Sequence, residues 1–298
     1  MKKVVQCVPN FSEGRDLDKI ERIVQPFRGK EGVKLVNYEP DKDYNRVVVT
    51  VLGEPEAVKK AVVEAIGVAT EEIDMTKHTG QHSRMGASDV VPFIPVKNMT
   101  VSEAVELSKE VAKEISERYN IPVFLYEKSA TTPERENLAT VRKGQFEGME
   151  EKLKDPNWRP DFGPNTIHPT AGVTAVGARM PLVAYNINLG TTNIEIANKI
   201  AKAIRHSNGG FRYCKAGAVE MPEREIVQVT MNLTDYTKTS IYRVFETVKM
   251  EAKRYGVPVV GSEIIGLVPM EALVDCASYY LGLEGFSMDK VLESSLME

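Results

Sequence analysis

The chain reads as an α/β protein of the α+β kind: two ferredoxin-like βαββαβ halves in tandem, with mixed sheets. Three observations predict this. In the second half, strand and helix patterns follow each other over 182–188, 194–205, 213–219, 227–233, 240–255 and 257–264, in the order β, α, β, β, α, β. The first half has the same order over 3–8, 16–27, 33–38, 47–52, 54–73 and 90–94. The sixth elements also echo each other: Ser88-Asp89-Val90-Val91-Pro92-Phe93-Ile94-Pro95 resembles Ser262-Glu263-Ile264-Ile265-Gly266-Leu267-Val268-Pro269. The halves predict domains at 1–178 and 179–298.

Each element has its own reason. Residues 3–8 are a short apolar strand, and 16–27 place Ile20, Ile23 and Val24 at helical spacing. Residues 33–38 and 47–52 read as strands, the latter rich in β-branched side chains. In 54–73, Val58, Ala61, Val62, Ala65, Ile66 and Ala69 line one helix face. The apolar run 90–94 reads as a buried strand. It is followed by a helix over 101–119, with Val105, Ala112 and Ile115 inward, and a strand over 123–126. Residues 128–172 are polar and turn-forming, and recurrent proline excludes regular helix over 155–164, which holds Trp158. A segment this long and irregular is usually functional or a linker.

The chain has 298 residues, enough for one large or two modest domains with a sizeable core. With 38 Lys and Arg against 42 Asp and Glu, the net charge is −4, which excludes the basic footprint of a nucleic-acid binder. Cys7, Cys214 and Cys276 form no C-x-x-C pair and read as reduced buried thiols of a cytoplasmic protein. Neither a signal peptide nor a membrane span is evident.

The most informative stretch is His78-Thr79-Gly80-Gln81-His82-Ser83-Arg84-Met85-Gly86-Ala87-Ser88-Asp89. Two of the four histidines lie here, in a glycine-containing loop that leads into an apolar strand. Histidine titrates near neutrality, so it is the default group for proton transfer; by residue type alone a loop histidine is more often a surface or hydrogen-bonding residue than a catalyst. Gly80 and the lack of Glu after His78 argue against a zinc helix, and no metal is expected. The second half has no matching lead-in, only Tyr255-Gly256-Val257-Pro258.

Several motifs together resemble the formiminotransferase domain of the glutamate formimidoyltransferase family. They are Cys7-Val8-Pro9-Asn10-Phe11-Ser12-Glu13-Gly14, the stretch from Asp74 through His82, Arg84-Met85-Gly86-Ala87, Pro92-Phe93-Ile94-Pro95 and Pro160-Asp161-Phe162-Gly163-Pro164. Gly177-Ala178-Arg179, Asn186-Ile187-Asn188 and Val259-Val260-Gly261-Ser262 follow in family order. The resemblance implies two α/β subdomains with the ligand cleft between them. It implies transfer of the formimino group of N-formimino-L-glutamate to N5 of tetrahydrofolate in histidine degradation, with tetrahydrofolate as co-substrate. A homodimer is implied as well. Because the chain stops after the transferase region, no cyclodeaminase activity is expected.

By the same resemblance, the catalytic base is His82, and its carboxylate partner is Glu39 at the end of the third element, where animal relatives are expected to carry aspartate; a solvated turn carboxylate is the competing reading of Glu39. The folate-contacting segment is Gly163-Pro164-Asn165-Thr166-Ile167-His168-Pro169-Thr170-Ala171-Gly172. Arg84, Arg46 and Arg179 lie in matched motifs and are candidate forks for substrate carboxylates; structural ion pairs are the competing reading. Asn10, Asn186 and Asn188 are candidates at strand ends, and Asp89 suits the backbone at the start of its strand. Formyl transfer on folate and a non-catalytic folate-binding protein are the alternatives. No P-loop is present, and no aromatic RNA-binding pattern.

Overall fold

The computed structural model describes residues 2–296. The chain divides into two compact units between Arg179 and Met180. The first contains β1 (Val4–Cys7), β2 (Asn10–Phe11), α1 (Leu17–Val24), β3 (Val33–Asp41), β4 (Arg46–Gly53), α2 (Pro55–Glu72) and β5 (Ser88–Lys97). It continues with α3 (Val101–Tyr119), β6 (Val123–Glu127), α4 (Leu138–Arg142), α5 (Gln145–Lys152) and β7 (Thr174–Ala178). The second contains β8 (Val183–Leu189), α6 (Ile194–Ile204), β9 (Cys214–Met221), β10 (Ile226–Leu233), α7 (Ile241–Arg254), β11 (Val259–Ile265), α8 (Met270–Leu281) and α9 (Leu292–Leu296).

The sheet of the first unit runs β3, β4, β1 with β2, β5, β7, β6. Its first part has the antiparallel ferredoxin-like order; β7 and β6 extend it in parallel beyond β5. In the second unit the order is β11, β8, β10, β9, the same ferredoxin-like arrangement. The expectation of mixed sheets therefore holds for the first unit, whereas every pairing in the second is antiparallel. The difference lies in β6 and β7, which have no counterpart there.

Local chemistry sets the element ends. In α3, the Thr100 hydroxyl accepts from Glu103 N and Glu103 returns the bond to Thr100 N, while Asn120 ends the helix in the left-handed region. Its buried stripe passes through Ala104, Leu107, Val111, Ala112 and Ile115, leaving Val105 half-buried. Pro9 interrupts the first strand, splitting it into β1 and β2, because it lacks the N–H a continuous ladder needs.

Side chains alternate across the first sheet between two cores. Val47, Val49, Val51, Val91 and Phe93 pack with α1, α2 and α3. Val90, Phe124, Tyr126 and Ala175 pack on the other face with Val141, Met149 and Leu153. The second cluster accounts for residues 128–172, which are not simply a functional loop or linker: α4, α5 and their connections cover that face. Trp158 meets Phe124 edge-on at 5.9 Å and carries Lys152 Nζ 3.7 Å from its ring centre. Asp161, buried with Arg135, accepts from Leu125 N and Arg135 Nη1, stapling the irregular segment to β6. Cys7 and Cys214 are buried thiols, and Cys276 is half-buried. No helix among the described residues is long and apolar enough to cross a membrane.

Candidate active site

The register of the first sheet places Glu39 opposite Val48, Val48 opposite Asn10 and Asn10 opposite Val90. This row lies on the face away from α1 and α2, because its neighbours Val47, Val49 and Phe11 belong to the core beneath those helices. Asp41 and Arg46 pair one step further along the same face.

The histidine segment is a loop, as read, with no helix from His78 to Ala87. His82 is half-buried. Its Nε2 lies 2.8 Å from Arg46 Nη1, and its ring centre 5.6 Å from that of Tyr44. A guanidinium only donates, so Nε2 accepts and the ring is neutral with its proton on Nδ1. Nδ1 is buried without a hydrogen-bond partner of ordinary geometry. Burial, then the charges of Arg46 and Arg142, push the His82 pKa down to about 4; the Ser83 backbone and Asp41 act in the opposite sense.

Glu39 does not join His82. Its exposed carboxylate accepts from Asn37 Nδ2 at 2.6 Å, two residues along its own strand. The expected orienting bond is thus replaced by Arg46, which approaches His82 from the neighbouring strand.

Arg84 is likewise placed differently from the expectation of a substrate fork. It is buried and fully engaged: Nε donates to His78 Nδ1 at 3.2 Å, Nη2 to His78 O at 3.2 Å, and both terminal nitrogens to Glu147. His78 Nε2 meets Asn45 O at 2.9 Å, so this histidine is a structural tie of the loop. Asn45 is a second tie, accepting from Gly14 N and donating to Thr79 O, both at 2.9 Å.

The segment 163–172 comes to the same place. Ala87 N donates to Ala171 O, Val173 N to Met85 O, and Gly86 bridges Gly172. His168 closes its own turn, accepting from Ala171 N on Nδ1 at 2.9 Å, while Asn165 and Thr166 are exposed. Asn10 donates to Val8 O at 2.9 Å, holding the break between β1 and β2. Arg179 follows β7, its N–H donating to Phe93 O.

Arg142 is the neighbour that sequence reading missed. It lies at the end of α4 and pairs with the fully buried Asp89, which also accepts from Met85 N at 2.9 Å. Asp89 serves the backbone ahead of its strand, as expected, with burial raising its pKa. Nothing in the polar run around Arg142 marks it in the sequence. Among buried groups of the second unit, Gln228 Nε2 donates to Asn188 Oδ1 at 2.8 Å and to Glu263. Asn186 also reaches Glu263.

Comparison with known proteins matches the formiminotransferase domain, N-terminal subdomain, over residues 4–179, and the formiminotransferase domain over residues 184–295. The chain belongs to the formiminotransferase family. It is 55% identical over 298 residues to the glutamate formimidoyltransferase of Streptococcus pyogenes serotype M1, each chain being covered completely. It is 44% identical over 295 residues to that of Thermoplasma acidophilum, with 98% of this chain and 97% of the relative covered. Against the formimidoyltransferase-cyclodeaminase of Mus musculus the identity is 40% over 290 residues, covering 95% of this chain and 53% of the relative. The two matched regions correspond to the two compact units.

Proposed function

We propose that the chain is a glutamate formimidoyltransferase, moving the formimino group of N-formimino-L-glutamate to N5 of tetrahydrofolate and releasing L-glutamate. Full-length similarity to the streptococcal enzyme of that name carries this reading. His82 is the base. N5 attacks the amidine carbon and gives its proton to His82; the collapsing tetrahedral intermediate takes that proton on the departing glutamate nitrogen. The neutral ring of His82 supports this role, since a base must start unprotonated.

The loop 163–172 is proposed to hold the folate. Exposed Asn165 and Thr166 offer amide and hydroxyl groups to a pterin edge, while Ile167, Pro164 and Pro169 offer apolar contact. Arg46 and Arg179 are the proposed carboxylate forks, with Asn10 proposed as a further substrate contact from the strand paired with that of Arg46; the Arg84 guanidinium bonds Glu147. Glu39 could assist only after leaving Asn37. A cytoplasmic homodimer acting in histidine breakdown completes the proposal.

The test is formation of 5-formiminotetrahydrofolate from N-formimino-L-glutamate by the purified chain and by His82→Ala, with folate binding measured in both. Activity in the parent, and a fall of about 10² to 10⁴ in the variant with binding kept, is the expected result. Folate binding without transfer from formimino or formyl donors would leave a binding protein instead.

A further inference from the structure

Arg46 is a half-buried cation whose hydrogen bond goes to a neutral imidazole. Among the described residues it forms no salt bridge, the buried Asp89 beside it being paired with Arg142. Asp89 and Asp41 act on Arg46 through charge without bonding it. Asp89 is held by Arg142 and Met85 N, and Asp41 Oδ1 accepts from the backbone of Asp43 and Tyr44. Two guanidinium groups, Arg46 and Arg142, thus face one buried carboxylate beside His82. Burial, with Arg142 next, lowers the pKa of Arg46, as expected of a cation short of an anion.

The same contact poses a chemical problem. Nε2 of His82 is the lone pair a base would use, and Arg46 occupies it. Other groups facing the ring do not: Arg142 comes from the end of α4, Asp41 from the end of β3, Tyr44 from the following turn, and Ser83 presents only backbone. A carboxylate is a stronger acceptor for guanidinium than a neutral imidazole, and it takes two parallel bonds.

We propose that Arg46 receives a carboxylate of the amino-acid donor, and that this draws the guanidinium away from His82 and frees Nε2 as the proton acceptor. The inference rests on the functional reading above and adds an order to it: the base is released only when the donor is seated. The proton then passes from N5 to Nε2 as the N5–C bond forms. It leaves with the glutamate nitrogen as the C–N bond breaks, and no other reactant is needed. Donor binding and protonation of His82 become mutually favourable.

Four histidines make the test tractable by nitrogen-resolved imidazole spectra, with His82 assigned through His82→Asn. The parent is titrated from about pH 4 to 8 with and without saturating L-glutamate, and again with N-formimino-L-glutamate. The expected result is a His82 midpoint raised by about one pH unit or more by either ligand. In Arg46→Gln the midpoint is already raised without ligand and does not move further. The KM for the donor rises about tenfold to a hundredfold, with that for folate unchanged. Arg46→Lys restores part of the donor KM. A parent that transfers the formimino group but whose His82 midpoint ignores both ligands overturns the inference and leaves the function standing. An unchanged donor KM in a folded Arg46→Gln does the same. A parent that transfers nothing overturns the functional reading, and the inference with it.

Discussion

Arg84 and Glu147 close a two-bond fork between the histidine loop and the first turn of α5, with Nη1–Oε2 at 2.9 Å and Nη2–Oε1 at 2.6 Å. The two ends of this fork differ in environment: the Arg84 side chain is 9% exposed and that of Glu147 63%. Losing the exposed end leaves Arg84 with His78 and Gln145 as partners; losing the buried end strands all of them. Glu147→Gln should therefore cost about 1 kcal/mol or less, and Arg84→Ala about 2–4 kcal/mol, in urea unfolding. Equal costs would mean that the fork, and not the bonds to His78, holds the loop.

The Asp89–Arg142 pair is the more demanding case because the carboxylate is fully enclosed. Asp89→Asn leaves the Arg142 guanidinium in a low-dielectric site beside Arg46, and about 3–5 kcal/mol should be lost. Replacing both members, as in Asp89→Asn with Arg142→Met, should recover much of that loss, since an apolar side chain needs no counter-ion. A double-mutant cycle by chemical unfolding measures the coupling directly.

Gly86 is required by space and not by backbone angle. A Cβ there would fall 2.1 Å from Val173 O and 2.8 Å from Ala171 O, inside the contact that joins the histidine loop to 163–172. Gly86→Ala should cost about 3 kcal/mol or more and separate these two segments. At Gly209, where φ is +90° and the surroundings are open, the same change should cost about 1 kcal/mol. Thermal or urea unfolding of the two variants side by side gives the comparison.

The histidines make folding sensitive to acid. His82 takes up its proton near pH 4 when folded, against an ordinary value of 6.5, and burial also lowers the pKa of His78. Below pH 6.5 the unfolded chain binds protons that the folded chain refuses. The stability present above that pH is therefore lost progressively as pH falls toward 4. Unfolding free energies measured across that range should show this slope, and His82→Gln should make it shallower.

Most of the element order was legible in the sequence. Helix α3 matches its reading over 101–119, because a Thr-x-x-Glu capping box and a terminal asparagine act within one turn. Helix α8 went unread although Pro269 precedes it and Gly282 closes it in the left-handed region. Helices α4 and α5 went unread for a better reason. They span 5 and 8 residues, too few for a periodic stripe to stand out, and they form by covering the sheet face around Val90 and Phe124.

What the sequence determined by itself is the alternation of strand and helix, the duplicated βαββαβ order and the loop that offers His82, since apolar period, caps and glycine act between neighbours in the chain. Only the tertiary structure decided the partners. Arg84 met Glu147 instead of standing free for a substrate, Glu39 stayed with Asn37, and Arg46 came to the ring of His82. Those choices depend on strand register, on which sheet face a side chain leaves, and on segments far apart in sequence meeting there. An ion pair across 63 residues has no local signature, because its energy exists only once both ends have been brought out of water together.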